Sequence, residues 1–487
     1  MSQNDDIIRF LLDGELKQLR FSRDEDLRPD TSLLNYLRSI GHTGVKEGCG
    51  EGDCGACTVV IARLKGSRLQ YQAINSCLLF LPMIHGCQVI TVHNLKTVAK
   101  ADTIYHPVQQ ALVEHHGSQC GYCTPGIVMS MFALWKNHTH FNQEMIKEGL
   151  SGNLCRCTGY QPIVDAMMSL SGTTRDDHFS GSEGNTVKIL RELGEQQVPI
   201  SINTGEVTYF KPVSLENALV LKKTHPEALL VSGATDLAVA VNKGKKEIKS
   251  CLDISGIEEL KHIRKEKSSI VFGPCTSIED LGKDAEKELP ALHEMITLFG
   301  SPQIRNMASP GGNIASASPI GDLLPVLMAY DCELEIRNKD AQRKILLEDF
   351  ILGYHQTDLD NTEMITSIRV PLPGKDVVIK SYKISKRKDV DISTVSSAFR
   401  ICTDREGMIT EVRLYYGGMA AKTVRAEKAE AFLLGKPWTK DTVIRASGMI
   451  GSEFTPISDA RSSAEGRTIM SENLLVKFWE DTKDISS

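Results

Sequence analysis

The sequence predicts a multidomain α+β protein, and three observations carry that prediction. The chain has 487 residues, several times the usual domain size, so about three domains are expected. Its hydropathy pattern changes along its length, from short alternating runs to helical signals and back to mixed strand and helix signals. Nine of its 13 cysteines fall before residue 158, so one end of the chain needs a chemical explanation that the other does not.

The segments follow in order. From Ile7 to Leu95 the stretches IIRFLLDG, LRFSRDEDL, CTVVIARLKG and VITVHNL surround one amphipathic run, SLLNYLRSIG, which predicts a small α+β domain over residues 1–95. Residues 96–171 switch to helix signals: Pro107 at a first turn, Thr124-Pro125-Gly126 opening IVMSMFALW, then QEMIKEGL, then Gln161-Pro162 opening IVDAMMSL. Four short helices in a compact bundle are expected. The stretch from Ser171 to Asn185 is polar and rich in Gly and Ser, so residues 172–204 read as a linker. Residues 205–378 mix strands and helices (ALLVSGATDLAVAV, SIVFGP, CELEIRN), and residues 379–487 form a strand-rich α+β piece (KSYKIS, SSAFRICT, EVRLYYGG) ending in helices. No internal repeat or low-complexity tract is present.

Composition narrows the function classes. With 41% hydrophobic and 24% charged residues the chain is globular rather than fibrous or disordered. A balance of 56 Lys and Arg against 62 Asp and Glu is the wrong sign for a protein that binds phosphate backbone, so neither nucleic acid nor anionic membrane is an expected partner. The N-terminus has no signal-peptide pattern and no run of 18 apolar residues occurs, so a cytoplasmic, soluble chain is expected. Thirteen cysteines in a reducing compartment should not form a disulfide framework.

The densest cysteine set is Cys49, Cys54, Cys57 and Cys77, spaced C-x4-C-x2-C-x19-C. This is the plant-type ferredoxin order, whose thiolates hold a 2Fe-2S cluster. Glycines at 48, 50, 52 and 55 let the loop curl so that backbone N–H groups face sulfur. A zinc knuckle is the alternative, but zinc favours paired C-x2-4-C hooks over a glycine loop with three cysteines. The second set is Cys120, Cys123, Cys155 and Cys157, each half beside a helix start whose dipole suits a net-negative cluster. Alone it could also bind zinc. Next to a plant-type set a second electron carrier is the stronger reading. His115 and His116 could suggest a Rieske site, but eight cysteines already fill two sites, so they read as a solvated helix end. Cys87, Cys251, Cys275, Cys332 and Cys402 read as structural thiols. The run Lys243–Lys249 reads as a short solvated loop rather than a nucleic-acid patch.

Two glycine turns in the second half could carry a phosphate-bearing cofactor. In ALLVSGATDL a strand runs into Gly233 and a helix, and in ASPGGNIA Gly311 and Gly312 allow close backbone approach while Ser309 and Asn313 offer polar groups. Neither G-x-G-x-x-G nor a P-loop accompanies them.

The segments KEGCGEGDCGACTV, QCGYCTPG, GNLCRCTGYQPI, ASPGGNIASASPIGDLLP and SKRKDVDIS, in this order, resemble the iron–sulfur and FAD parts of the molybdenum hydroxylases, most closely the small subunit of bacterial xanthine dehydrogenases. The resemblance covers nearly the whole chain. It implies a β-grasp 2Fe-2S ferredoxin domain over 1–95, a four-helix 2Fe-2S bundle over 96–171, a two-part α+β FAD-binding domain over 205–378, and an α+β C-terminal domain of the flavoprotein region over 379–487. It places one cluster on Cys49, Cys54, Cys57 and Cys77, and the other on Cys120, Cys123, Cys155 and Cys157. Gln119 matches a glutamine that faces the pterin of the molybdenum cofactor. FAD would lie along Leu230, Val231, Ser232, Gly233, Ala234, Thr235, Asp236 and Leu237, and along Ser309, Pro310, Gly311, Gly312 and Asn313. Asp322 and Lys383 would add polar contacts, Ile365 an apolar one, and Phe299 would stack on the flavin. No catalytic residue is expected on this chain.

Gly-Ala-Thr-Asp at 233–236 replaces the Gly-Asn-Thr-Glu of animal members, which favours a bacterial protein. The chain ends after the FAD region, so the resemblance implies a molybdenum-binding large subunit as partner, in a heterotetramer of two of each chain. The expected function is electron transfer from hypoxanthine or xanthine hydroxylation at the partner's molybdenum-pterin centre, through two 2Fe-2S clusters to FAD and then NAD. The alternatives are the same portion of an aldehyde or N-heterocycle hydroxylase, or a zinc-binding interaction module fused to a nucleotide-binding domain.

Overall fold

The computed structural model describes residues 6–23, 27–99, 102–195 and 198–484. They fall into two compact units, one spanning Met1–Ala218, Glu227–Ile257 and Gly300–Ala308, the other Leu219–Pro226, Glu258–Phe299 and Ser309–Ser487.

In the first unit a five-stranded mixed sheet runs in the order Glu15–Arg20, Ile7–Leu12, Gln88–Ile90, Thr58–Lys65, Arg68–Asn75. Ile7–Leu12 and Gln88–Ile90 pair in parallel and the other neighbours antiparallel. Helix Leu33–Ser39 is capped by Ser32, whose hydroxyl accepts from the Asn35 N–H, and it buries Leu33, Leu34 and Leu37 in one core with Ile8, Phe10 and Val59. This is the β-grasp arrangement expected from the resemblance.

The four expected helices are Pro107–Glu114, Thr124–Asn137, Gln143–Leu150 and Gln161–Met168, with proline in the first turn of three of them. Thr124–Asn137 is buried on most of its circumference, including Phe132 and Trp135. The segment 172–204, expected to be a linker, instead contains a further helix, His178–Glu195. Its Gly and Ser content hid a helical stripe: Phe179, Thr186, Leu190 and Leu193 share one face and are buried. Asp177, just before it, accepts from His106 at 3.2 Å and from Lys136 at 3.0 Å.

A four-stranded sheet follows, in the order Leu229–Val231, Ser250–Asp253, Thr208–Lys211, Ile200–Asn203. The first of these to occur in the chain starts at Ile200, inside the expected linker. Ile202, Tyr209, Val231 and Cys251 from this sheet share the core that holds Ile8 and Phe10, so the hydrophobic interior does not stop at residue 204.

The second unit has a five-stranded antiparallel sheet ordered Ile263–Lys265, Ser269–Phe272, Met364–Pro371, Glu333–Arg337, Gln342–Leu346, and a four-stranded antiparallel sheet made by Val377–Ile384, Val395–Thr403, Ile409–Gly417 and Val424–Arg425. Helices Glu427–Leu433, Lys440–Glu453 and Ala464–Thr482 close a core around Phe399, Tyr416, Trp438 and Phe478. Among the described residues no helix is long and apolar enough to cross a membrane.

Candidate metal centres and flavin segments

The first cysteine loop curls through Gly50, Gly52 and Gly55, all at positive φ, a conformation that side chains with a Cβ resist. The thiols it gathers come as two pairs. Cys57 and Cys77, both buried, are hydrogen-bonded sulfur to sulfur at 3.3 Å, and Cys54 is hydrogen-bonded to Cys49. In each pair the bond lowers one thiol and raises the other: Cys57 and Cys49 go down, Cys77 and Cys54 go up. Backbone N–H groups of Glu51, Asp53 and Cys54 also favour a Cys49 thiolate, with Glu51 N 3.4 Å from its sulfur.

The second set pairs across its two halves. Cys123 bonds to Cys155 and Cys157 to Cys120. Burial and then Cys155 raise Cys123; burial opposes the lowering of Cys155, which Thr158, the Cys157 N–H and Cys123 bring about. Gly159 and Tyr160 both have positive φ, and the Tyr160 hydroxyl accepts from the Cys155 N–H at 2.9 Å. Cys120 and Cys157 are exposed, Cys155 is buried.

Among the described residues no three or more His, Cys, Asp or Glu side chains form a site for a single ion. Thiols in pairs, with N–H groups aimed at sulfur, suit a two-iron cluster in which each iron takes two thiolates.

The two sets are locked together. Leu154 donates its N–H to the Cys54 carbonyl at 3.0 Å, and Leu154 is the residue before Cys155. Asn153 donates to the Gly55 carbonyl at 3.0 Å and to Thr58 Oγ1 at 3.2 Å, and its own Oδ1 accepts from Ser130 and Gln303. A Cβ on Gly126 would lie 2.1 Å from the Gly55 oxygen, and one on Gly55 2.2 Å from the Gly152 oxygen, so these backbones approach as only glycine permits. Gln119 is exposed beside Cys120.

Of the residues that the resemblance assigns to FAD, Leu230–Leu237 belong to the first unit. They run from strand Leu229–Val231 into helix Thr235–Asn242 through Ala234 at φ 59°. Gly233 has a packing reason of its own, since a Cβ there would sit 1.9 Å from the Met307 carbonyl oxygen.

In the second unit Ser309 caps the short helix Pro310–Ala315, its hydroxyl accepting from the Gly312 N–H at 3.2 Å. Gly311 packs on Pro274, leaving no room for a side chain, whereas Gly312 is exposed. Asn313 Oδ1 is buried with no hydrogen-bond partner among the described residues, which leaves an acceptor free for a ligand's hydroxyl or N–H. Asp322 and Lys383, expected as separate polar contacts, are bound to each other at 2.8 Å and are buried; Lys383 also donates to the Leu298 carbonyl at 2.9 Å, and Ser393 donates to Asp322. Ile365 is buried and Phe299 is half-buried. A cavity of about 300 Å³ lies beside this pair, lined by Leu298, Lys383, Ile384, Ser385, Lys386, Arg387 and Lys388.

Sequence reasoning missed Asn153 and Leu154, although both stand inside the GNLCRC motif. Lys243 opens the exposed turn expected there, and it also pairs with Glu51 at 3.0 Å. Cys87, read as structural, is buried and accepts from Arg63 at 3.3 Å.

Four family models match the chain: a 2Fe-2S iron–sulfur cluster binding domain over residues 22–81, a [2Fe-2S] binding domain over 91–168, the FAD binding domain in molybdopterin dehydrogenase over 204–373, and the CO dehydrogenase flavoprotein C-terminal domain over 380–482. Xanthine dehydrogenase of Emericella nidulans is 33% identical over 92% of this chain and 36% of its own length. Aldehyde oxidase 1 of Bos taurus is 30% identical over 93% of this chain and 38% of its own length. The chain thus spans little more than a third of these curated relatives. A solved carbon monoxide dehydrogenase chain from Hydrogenophaga pseudoflava aligns with a TM-score of 0.53 and 27% identity, covering 58% of this chain and 96% of that one.

Proposed function

We propose that this chain, which belongs to the molybdenum hydroxylases as their iron–sulfur and FAD portion, serves a xanthine dehydrogenase as its electron outlet, with purine oxidised at a molybdenum centre on a partner and NAD as acceptor. When bound, the clusters supply single-electron chemistry and FAD converts it to the two-electron transfer that NAD requires.

Cys120, Cys123, Cys155 and Cys157 hold the cluster nearer the partner, and Cys49, Cys54, Cys57 and Cys77 the other. The exposed Tyr122, Leu154 and Tyr160 around Cys120 and Cys157, with Gln119 among them, form the surface on which the partner docks. Phe299, Ser309–Asn313 and Ile365 hold FAD, and the Asp322–Lys383 pair orders the wall beside it. Lys386, Arg387 and Lys388 give the neighbouring cavity a positive lining suited to the phosphates of a dinucleotide.

The observation that carries the reading is the Leu154 to Cys54 hydrogen bond, which puts the backbone beside one ligand set in direct contact with the backbone of the other. The aldehyde oxidase relative, matched over 93% of this chain, favours a second reading in which the partner oxidises aldehydes. To test both, the chain is purified with its partner. The expected result is about four iron per chain, flavin absorption, and xanthine-dependent NAD reduction only when the partner is present. Aldehyde-dependent turnover without xanthine turnover selects the second reading. Stoichiometric zinc without acid-labile sulfide overturns both.

A further inference from the structure

Helix Thr235–Asn242 ends on the first cysteine loop. Asn242 Nδ2 donates to the carbonyl oxygens of Gly50 at 2.9 Å and Cys77 at 2.8 Å. The next residue, Lys243, donates to the Cys49 carbonyl at 3.1 Å and pairs with Glu51 at 3.0 Å. Two consecutive side chains therefore grip the backbone at two of the four cysteines and at the glycine between Cys49 and Glu51. The C-terminal end of a helix carries partial negative charge, so a lysine there is well placed in its own right. The same eight-residue helix begins at Thr235, inside the segment assigned to FAD.

An iron–sulfur cluster becomes one charge more negative on reduction, and net charge and hydrogen bonding around it are the protein's main levers on its potential. Lys243 is a cation fixed beside Cys49, and Asn242 satisfies the carbonyl oxygens of Gly50 and Cys77 with amide hydrogens. The opposing charge is Glu51, with Asp53 on the same loop.

Building on the cluster assignment proposed above, we infer that Asn242 and Lys243 form a clamp that holds the Cys49–Glu51 loop to the flavin-side helix and raises the reduction potential of the cluster on Cys49, Cys54, Cys57 and Cys77. They are positioning residues, since they touch the backbone of the ligands and not the metal.

The test is an EPR-monitored redox titration of the full chain as purified with its partner, with iron and FAD content measured on each sample. Cys77→Ser assigns the signal of the first cluster. Lys243→Gln should move that cluster's midpoint to lower potential and leave the second cluster where it was, with iron and FAD unchanged. Lys243→Arg should restore the midpoint. Glu51→Gln removes the opposing charge while Lys243 and Asn242 keep their bonds to the carbonyls of Cys49, Gly50 and Cys77, so it should move the midpoint upward; it decides the matter if Lys243→Gln loses iron. An unmoved first-cluster midpoint in Glu51→Gln, or equal shifts of both clusters, overturns the clamp. A wild-type protein without two distinct 2Fe-2S signals overturns the cluster assignment itself, a failure separable from the first.

Discussion

The backbone N–H of Leu154 meets the carbonyl of Cys54 at 3.0 Å, so a residue adjoining one cysteine of the second set is hydrogen-bonded to a cysteine of the first. Replacing Leu154 by Pro removes the donor. Loss of one such bond should cost about 1 kcal/mol of stability, and electron transfer between the clusters should slow while both remain loaded. Leu154→Ala keeps the N–H and should behave as wild type. Rapid-freeze EPR of the substrate-reduced complex checks this; equal rates in the two variants would show that the bond plays no part in the transfer.

The glycine contacts between the two loops predict a sharp contrast. In Gly126→Ala the new methyl would lie 2.1 Å from the Gly55 oxygen, which forces the backbones apart and should cost about 1–3 kcal/mol. Both clusters should become labile together. Gly121→Ala, at φ 81° but with open space around it, should cost about 1 kcal/mol and leave the second cluster in place. Denaturant midpoints and iron content distinguish the two.

Asn313 offers a separation between stability and cofactor binding. Removing a buried acceptor that has no partner should not destabilise the chain, so Asn313→Leu should unfold near the wild-type midpoint. If Asn313 Oδ1 holds FAD, affinity should fall by roughly five- to tenfold, the equivalent of one hydrogen bond. Gly312→Val should lose FAD more completely, with iron retained. Unchanged flavin occupancy in both variants would place the FAD site elsewhere.

Asp13 sets a pH dependence in the first unit. Burial pushes its carboxyl up to about 6, against hydrogen bonds from the Thr91 N–H and hydroxyl, both at 2.7 Å. A folded value above the ordinary 3.8 means that the folded chain binds this proton more tightly than the unfolded one. The resulting stabilisation is complete below the unfolded value and is lost as pH rises through about 6, up to about 3 kcal/mol in all. Asp13→Asn, which keeps a residue that tolerates the φ of 51° at this position, should flatten the decline in urea midpoint between about pH 4 and 6. A wild-type midpoint that rises over this range would contradict the assignment.

Much of the chemistry was legible without a fold. Cysteine spacing is a local property: C-x4-C-x2-C with glycines between brings three thiols close together on a backbone free to curl, and Thr124-Pro125 and Gln161-Pro162 suit helix starts, because proline's fixed φ and missing N–H fit a first turn. Element types in the second half followed from alternation and periodicity for the same reason.

What remained hidden depended on partners distant in sequence. Helix His178–Glu195 was concealed because its composition says linker, while its buried face has value only once the first sheet (Leu11, Leu64, Leu69) and the bundle are there to pack on. Asp322 and Lys383 each look like free ligands for a cofactor; only the fold, bringing residues 61 apart in sequence to 2.8 Å, makes them each other's partner. Lys243, an ordinary solvated lysine by its neighbours, lies against Cys49, 194 positions away. The sequence by itself determined how the cysteines are spaced and where the four bundle helices begin, because those follow from local sterics and chain order. The tertiary structure alone decided which thiols pair, which charges are already neutralised and which backbones touch, because those depend on long-range packing that no local pattern encodes.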